Sequence, residues 1–233
     1  MNKFKTTLIA ACSLVLASVG TSSLADSGNF AGPYVGLSIS GYGAAFEGNA
    51  RSTSVNSGGT DNTVQVGNVA GVAGGEIGYS VPLGSAFLID IGASYLAGES
   101  KLDYVSDDAG SVNADVEFKV DKHLTYYIAP TIVLSDTSSL YVKVGLAEAD
   151  IGVKGDITTP ANLSGTTWAI GTRTVLETGV FIRSEAGYTE YNGISAHGTT
   201  ADASPKTGTQ QTTTSYSAEP TTAYGQISLG FRF

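Results

Sequence analysis

The chain has 233 residues, of which 30 are Gly, 6 Pro and one Cys, and it carries 12 Lys+Arg against 21 Asp+Glu, a net charge of −9. An acidic chain of this kind repels phosphate and is no nucleic-acid binder, one cysteine excludes a disulfide scaffold, and 42% hydrophobic residues exclude overall disorder. Charged residues make up only 14%, against about 25% in soluble domains, so something other than ions covers the surface.

The first 25 residues read as an address. Lys3 and Lys5 form a basic head, Leu8 to Val19 an apolar stretch too short to span a bilayer, and Ser23-Leu24-Ala25 a small-residue cleavage site. A cleaved signal peptide over 1–25 and export through the Sec pathway are therefore predicted, leaving 26–233 as one domain. Cys12, in IAAC, also fits a lipoprotein box, but the apolar run continues well past it. Cleavage after Ala25 leaves a mature chain without Cys, which suits passage through an oxidising compartment.

Period-2 alternation then recurs in eight segments. Their apolar phases are Val35, Leu37 and Ile39; Val69, Ala73, Ile77, Tyr79 and Val81; Phe87, Ile89, Ile91, Ala93 and Tyr95; Leu124, Tyr126, Ile128, Pro130 and Ile132. They continue with Leu140, Val142, Val144 and Leu146; Trp168, Ile170, Thr172, Thr174 and Leu176; Val180, Ile182, Ala186 and Tyr188; and Ile227, Leu229, Phe231 and Phe233. Leu88 and Leu96 interrupt the polar phase of the third segment. Short connections at 82–86, 135–139 and 177–179 alternate with long ones at 47–67, 98–116, 152–165 and 192–221. Three short turns and four long surface loops on one end are what an up-and-down antiparallel sheet of eight strands requires, and tilted strands of about ten residues match the hydrocarbon thickness.

Alternation alone allows a soluble, ligand-holding barrel with the apolar phase inside. The partner phase decides against it. It is mostly Gly, Ala, Ser and Thr, a poor water-facing surface but a good filling for a narrow interior. Its charges also balance, Glu76, Asp90, Glu177 and Glu185 against Lys143, Arg173, Arg183 and Arg232, and buried charges persist when paired. The fold class predicted is thus an all-β, eight-stranded antiparallel up-and-down transmembrane β-barrel. Closure of the sheet satisfies its backbone, and its lumen holds an ion-pair network. Tyr79, Tyr95, Tyr126, Trp168 and Tyr188 lie in the lipid-facing phase as an aromatic girdle. Pro130 should mark a bulge or a strand end.

Two stretches resemble the small Gram-negative outer-membrane barrels of the opacity-protein and OmpA-transmembrane kind. They are FIRSEAGYTEY (181–191) and the terminal AYGQISLGFRF (223–233); GPYVGLSISGYG (32–43) is similar to the family's first strand. The resemblance implies a place in the Gram-negative outer membrane. It implies as partners outer-membrane lipid and lipopolysaccharide, and host or extracellular ligands met through the loops. It further implies that Ile227, Leu229, Phe231 and Phe233 form the C-terminal signal read by the barrel-assembly machinery.

No cofactor or metal site is expected. The acidic run LDYVSDDAGSVNAD (102–115) lacks the spacing of a calcium loop and reads as solvated charge, and TGTQQTTTSYS (207–217) as a mobile exposed segment. The chain contains no G-x-S-x-G, H-E-x-x-H or Cys pair, so no catalytic residue is assigned, and His123 reads as a lumen hydrogen-bonding group. Three functions follow: a structural or adhesive surface barrel, a narrow low-conductance channel, and, with least support, a lipid-modifying hydrolase built on His123.

Overall fold

A computed structural model describes the backbone of residues 26–54, 57–104, 116–154, 162–176, 179–204 and 208–233. Side chains are described for 26–45, 69–98, 122–150, 162–176, 179–195, 217 and 219–233. The leader expected over 1–25, and Glu177, lie outside the described residues.

The strands are β1 (Gly32–Ser54), β2 (Ser57–Pro82), β3 (Phe87–Tyr104), β4 (Val116–Ser135), β5 (Ser138–Lys154), β6 (Leu163–Val175), β7 (Val180–Tyr191), β8 (Ile194–Ser204) and β9 (Gly208–Arg232). Each wall strand pairs antiparallel with its chain neighbour, β7 passes over β8 to pair with β9, and β9 returns to β1, from Tyr34↔Arg232 onward. The wall is therefore a closed eight-stranded barrel, in which no backbone edge is left to face hydrocarbon. Among the described residues no helix is long and apolar enough to cross a membrane.

Exposure alternates as the sequence pattern requires. Along β1, Val35, Leu37 and Ile39 are exposed while Tyr34, Ser38 and Ser40 are buried. Along β9, Ile227, Leu229 and Phe231 are exposed while Gln226 and Ser228 are buried. A protein that puts isoleucine at 69% exposure and arginine at 0% inverts the burial of soluble domains, as a lipid solvent demands. Leu88 and Leu96, the two interruptions of the polar phase, point into the lumen and are buried there.

Three features differ from the sequence expectation. Where they are described, the segments expected as long loops are largely strand. β1 and β2 continue their ladder through Glu47↔Gln65 to Arg51↔Asp61, β3 and β4 pair out to Tyr104↔Val116, and the Thr-rich stretch from Gly208 lies within β9, between β1 and the additional strand β8. Thr is a β-branched strand former, and once a neighbouring strand offers its backbone the ladder extends without an apolar face to signal it. Second, Pro130 neither bulges nor ends β4: the register with β5 is the same at Ile128↔Val144 and Thr131↔Tyr141, on either side of it. Third, register shifts fall elsewhere, between Ser52 and Ser54 on β1, between Leu96 and Glu99 on β3, and on β4 between Val133 and Ser135 and between Asp121 and Leu124. Lys122 there adopts φ +51° and reaches Asp150 at 2.9 Å, and an extra residue of this kind increases local twist.

The chain enters the barrel through a segment with no counterpart in the sequence reading. Residues 26–31 form a short 3-10 turn (Ser27–Asn29) laid across the mouth at the turn end. The Ser27 amide donates to the Ser85 carbonyl (2.9 Å), its hydroxyl to the Gly84 carbonyl (2.6 Å), and the Asn29 side-chain amide to the Asp136 carbonyl (3.2 Å). Phe30 is fully buried beneath it.

Candidate functional site: a layered lumen

The lumen is stacked in layers. At the turn end Phe30, Tyr34, Leu88, Val133, Val175 and Phe181 pack together. At the hairpin end lies a second apolar cluster that includes Tyr42, Val72, Leu96, Leu163, Tyr191 and Tyr224. Between them sits an ionic layer of three carboxylates and three cations, all buried: Glu76, Asp90 and Glu185 with Lys143, Arg173 and Arg183.

The pairing has two centres. Arg183 donates from Nη1 to Glu76 Oε2 (2.7 Å) and from Nη2 to Asp90 Oδ2 (3.1 Å), bridging two carboxylates on different strands. Arg173 shares Asp90, 3.4 Å from its Oδ2, and donates to the Ser80 hydroxyl (3.0 Å). In the other centre Lys143 Nζ lies 2.6 Å from Glu185 Oε2 and 2.8 Å from Oε1. The Tyr141 and Tyr224 hydroxyls each donate to the same carboxylate at 2.7 Å. Aromatic faces join the centres: Arg183 lies 4.5 Å from the Tyr141 ring centroid and Lys143 4.2 Å from that of Tyr127, geometries in which the ring quadrupole attracts a cation. The Tyr127 and Tyr34 hydroxyls are 2.8 Å apart.

These tyrosines fit because the residue opposite each is glycine. Tyr224 pairs with Gly187 and Tyr141 with Gly171. A Cβ at either glycine would fall 2.4 Å from the facing tyrosine, so its absence lets the ring lie flat across the neighbouring strand. Closer to the hairpin end, His123 is buried with both ring nitrogens engaged, Nδ1 by the Tyr191 hydroxyl and Nε2 by that of Thr125 (2.9 Å). The Tyr42 hydroxyl stands 3.3 Å from Nδ1. Among the described residues no carboxylate stands in this group, and its contacts are hydrogen bonds. Among the described residues no three His, Cys, Asp or Glu side chains stand together as metal ligands.

Of the eight charges read from sequence, six therefore meet in the lumen, and Glu177 falls outside the described residues. Arg232 stands apart from them. Its Nη1 donates to the Ala31 carbonyl (3.0 Å), with the Gly28 carbonyl at 3.5 Å, so it ties the last strand to the entering segment. The reason is its level: paired with Tyr34, it stands at the mouth, where backbone carbonyls of the entering segment are within reach. The lumen tyrosines Tyr34, Tyr127, Tyr141 and Tyr224 were not singled out from sequence, although each occupies the inward phase of its strand. On the outer wall Tyr79 is at the turn end, paired with Pro33 and Ile91. Tyr95, Tyr126, Trp168 and Tyr188 are higher, Trp168 directly opposite Tyr188.

Residues 10–217 match the model of the outer membrane protein beta-barrel domain. The chain belongs to this family. This outer-membrane barrel is accordingly a component of the Gram-negative outer membrane. No curated protein matches it in sequence. Among solved structures it is similar to OprG from Pseudomonas aeruginosa, at 10% identity over 87% of this chain and 97% of that one, with a TM-score of 0.49. It is also similar to the outer membrane protease OmpT from Escherichia coli, at 9% identity over 92% and 99% with a TM-score of 0.48. Ail, the attachment invasion locus protein of Yersinia pestis, shares 12% identity over 82% and 99% with a TM-score of 0.33.

Proposed function

We propose that this outer-membrane barrel is a non-conducting, non-enzymatic anchor that presents long β-hairpins outside the membrane for contact with host or extracellular ligands. The observation that carries this reading is the filled lumen, in which a paired ionic layer is closed by apolar layers at both ends. An eight-stranded interior is just wide enough for its own side chains, and none of the described lumen groups is arranged for chemistry. The hairpins support the outward role. β1, β2 and β9 are 23, 26 and 25 residues long, where about ten suffice to cross, and rigidly based projections are where recognition concentrates. The same reading takes 1–25 as a Sec leader, Ile227 to Phe233 as the assembly signal, lipopolysaccharide as the outer-leaflet neighbour, and the five wall aromatics as the girdle.

Planar-bilayer recording tests the closed lumen. The purified barrel is expected to insert silently; stable unit currents that change on Arg173→Ala establish a channel instead. Trimming the β1–β2 and β8–β9 hairpins to the membrane surface tests the recognition role. Assembly should survive and cell-surface binding should fall, and binding that persists unchanged removes the proposal.

A further inference from the structure

Asp26 directly follows the cut expected after Ala25, and its backbone nitrogen lies 3.2 Å from Asp136 Oδ1. Asp136 belongs to the tight turn between β4 and β5, and its carbonyl already receives Asn29. Asp26 spends its own carboxylate on the Gly28 amide (2.9 Å), which leaves Asp136 as the counter-charge facing the Asp26 nitrogen. The nearby guanidinium of Arg232 is committed to the carbonyls of Ala31 and Gly28. With an uncut peptide bond at Asp26, two carboxylates crowd this mouth and only a neutral amide faces Asp136.

We propose that leader removal creates a structural ion pair, the α-ammonium of Asp26 on the carboxylate of Asp136, which fastens the cork of residues 26–31 to the turn end only in the processed protein. Hydrolysis of the Ala25–Asp26 amide by a leader peptidase consumes one water. The C–N bond breaks, the water oxygen joins the Ala25 carbonyl carbon as a carboxylate, and the freed nitrogen becomes an ammonium. The charge thus appears at an atom already within reach of its partner. Because the same segment holds Gly84, Ser85 and Asp136, the pair ties two turns of the barrel together, a consequence separate from what the hairpins bind.

The test begins with the protein isolated from the outer membrane. Its first residue should be Asp26, and a different first residue overturns the proposal. Acetylation of the α-amino group at about pH 6.5, below the range in which lysines lose their proton, carried out in denaturant before refolding, turns it into a neutral amide and spares the lysines and the Asp26 carboxylate. It should lower the thermal midpoint in micelles by about 2 °C, as expected for an exposed pair in a chain of this size. In Asp136→Asn the same treatment should shift nothing further; Asp136→Ser gives the same comparison if Asp136→Asn does not assemble. No shift in the natural chain, or an equal shift in natural and substituted chains, contradicts it.

Discussion

Replacing Arg183 with alanine should destabilise the barrel by about 3–5 kcal/mol, the cost of leaving a buried charge without its partner. Arg183 holds two carboxylates at once. Without it, among the described residues, Asp90 keeps Arg173 at 3.4 Å and Glu76 keeps the Tyr127 hydroxyl at 3.4 Å. Neither carboxylate can turn to water, because apolar layers close both directions along the axis. Adding Glu76→Gln should restore part of the loss, since it removes the uncompensated charge while keeping the side-chain volume. The single tryptophan, Trp168, lies in the wall and reports urea unfolding in lipid vesicles by its emission. A loss under about 1 kcal/mol, the value of a solvated pair, would show that the layer is wet.

The second large effect is expected on the opposite face of the same strands. Ile39 is 69% exposed and sits beside Ile227 and Ala73. If that exposure is to acyl chains, Ile39→Arg should cost roughly 2–4 kcal/mol, the penalty for arginine near the midplane of a barrel wall. The measurement is the free energy of unfolding from vesicles. If instead the face met water, the substitution would exchange an exposed apolar group for a solvated cation and cost within about 0.5 kcal/mol. Ile39 lies outside the C-terminal stretch, so the comparison does not depend on assembly signals.

How far the sequence discloses this molecule depends on which interaction shapes each part. Alternation is imposed by the lipid wherever strands cross, so Val35 to Ile39 and Ile227 to Phe233 could be read directly as wall. The ionic layer was legible because charge is costly in a narrow interior: Glu76, Asp90, Lys143, Arg173, Arg183 and Glu185 stand out against a phase of small residues. What alternation does not contain is where along the axis each charge stands, so the contact of Arg232 with the entering segment at the mouth is not legible in it. The tyrosine and glycine pairs were hidden because each depends on cross-strand register, as with Tyr224 opposite Gly187, which one strand's pattern does not contain. The ladder beyond the membrane was hidden for a related reason. Residues such as Thr212 to Thr214 gain partners in β1 and β8 without needing an apolar side, and alternation carries no signal there. The cork at 26–31 is held by backbone carbonyls of two turns, contacts that its own sequence does not announce.

The orientation of the wall is tested most directly by paired single-cysteine labels at neighbouring positions, since residues 26–233 contain no cysteine of their own. Spin labels at Leu37, 76% exposed, and Ser38, 7% exposed, are compared in vesicles for collisions with oxygen, which concentrates in lipid, and with a water-soluble nickel chelate. The label at Leu37→Cys should collide with oxygen and be shielded from nickel, while Ser38→Cys should be shielded from oxygen or resist labelling altogether. A Ser38 label immersed in lipid, with Leu37 open to nickel, would contradict a wall whose apolar side chains face the bilayer.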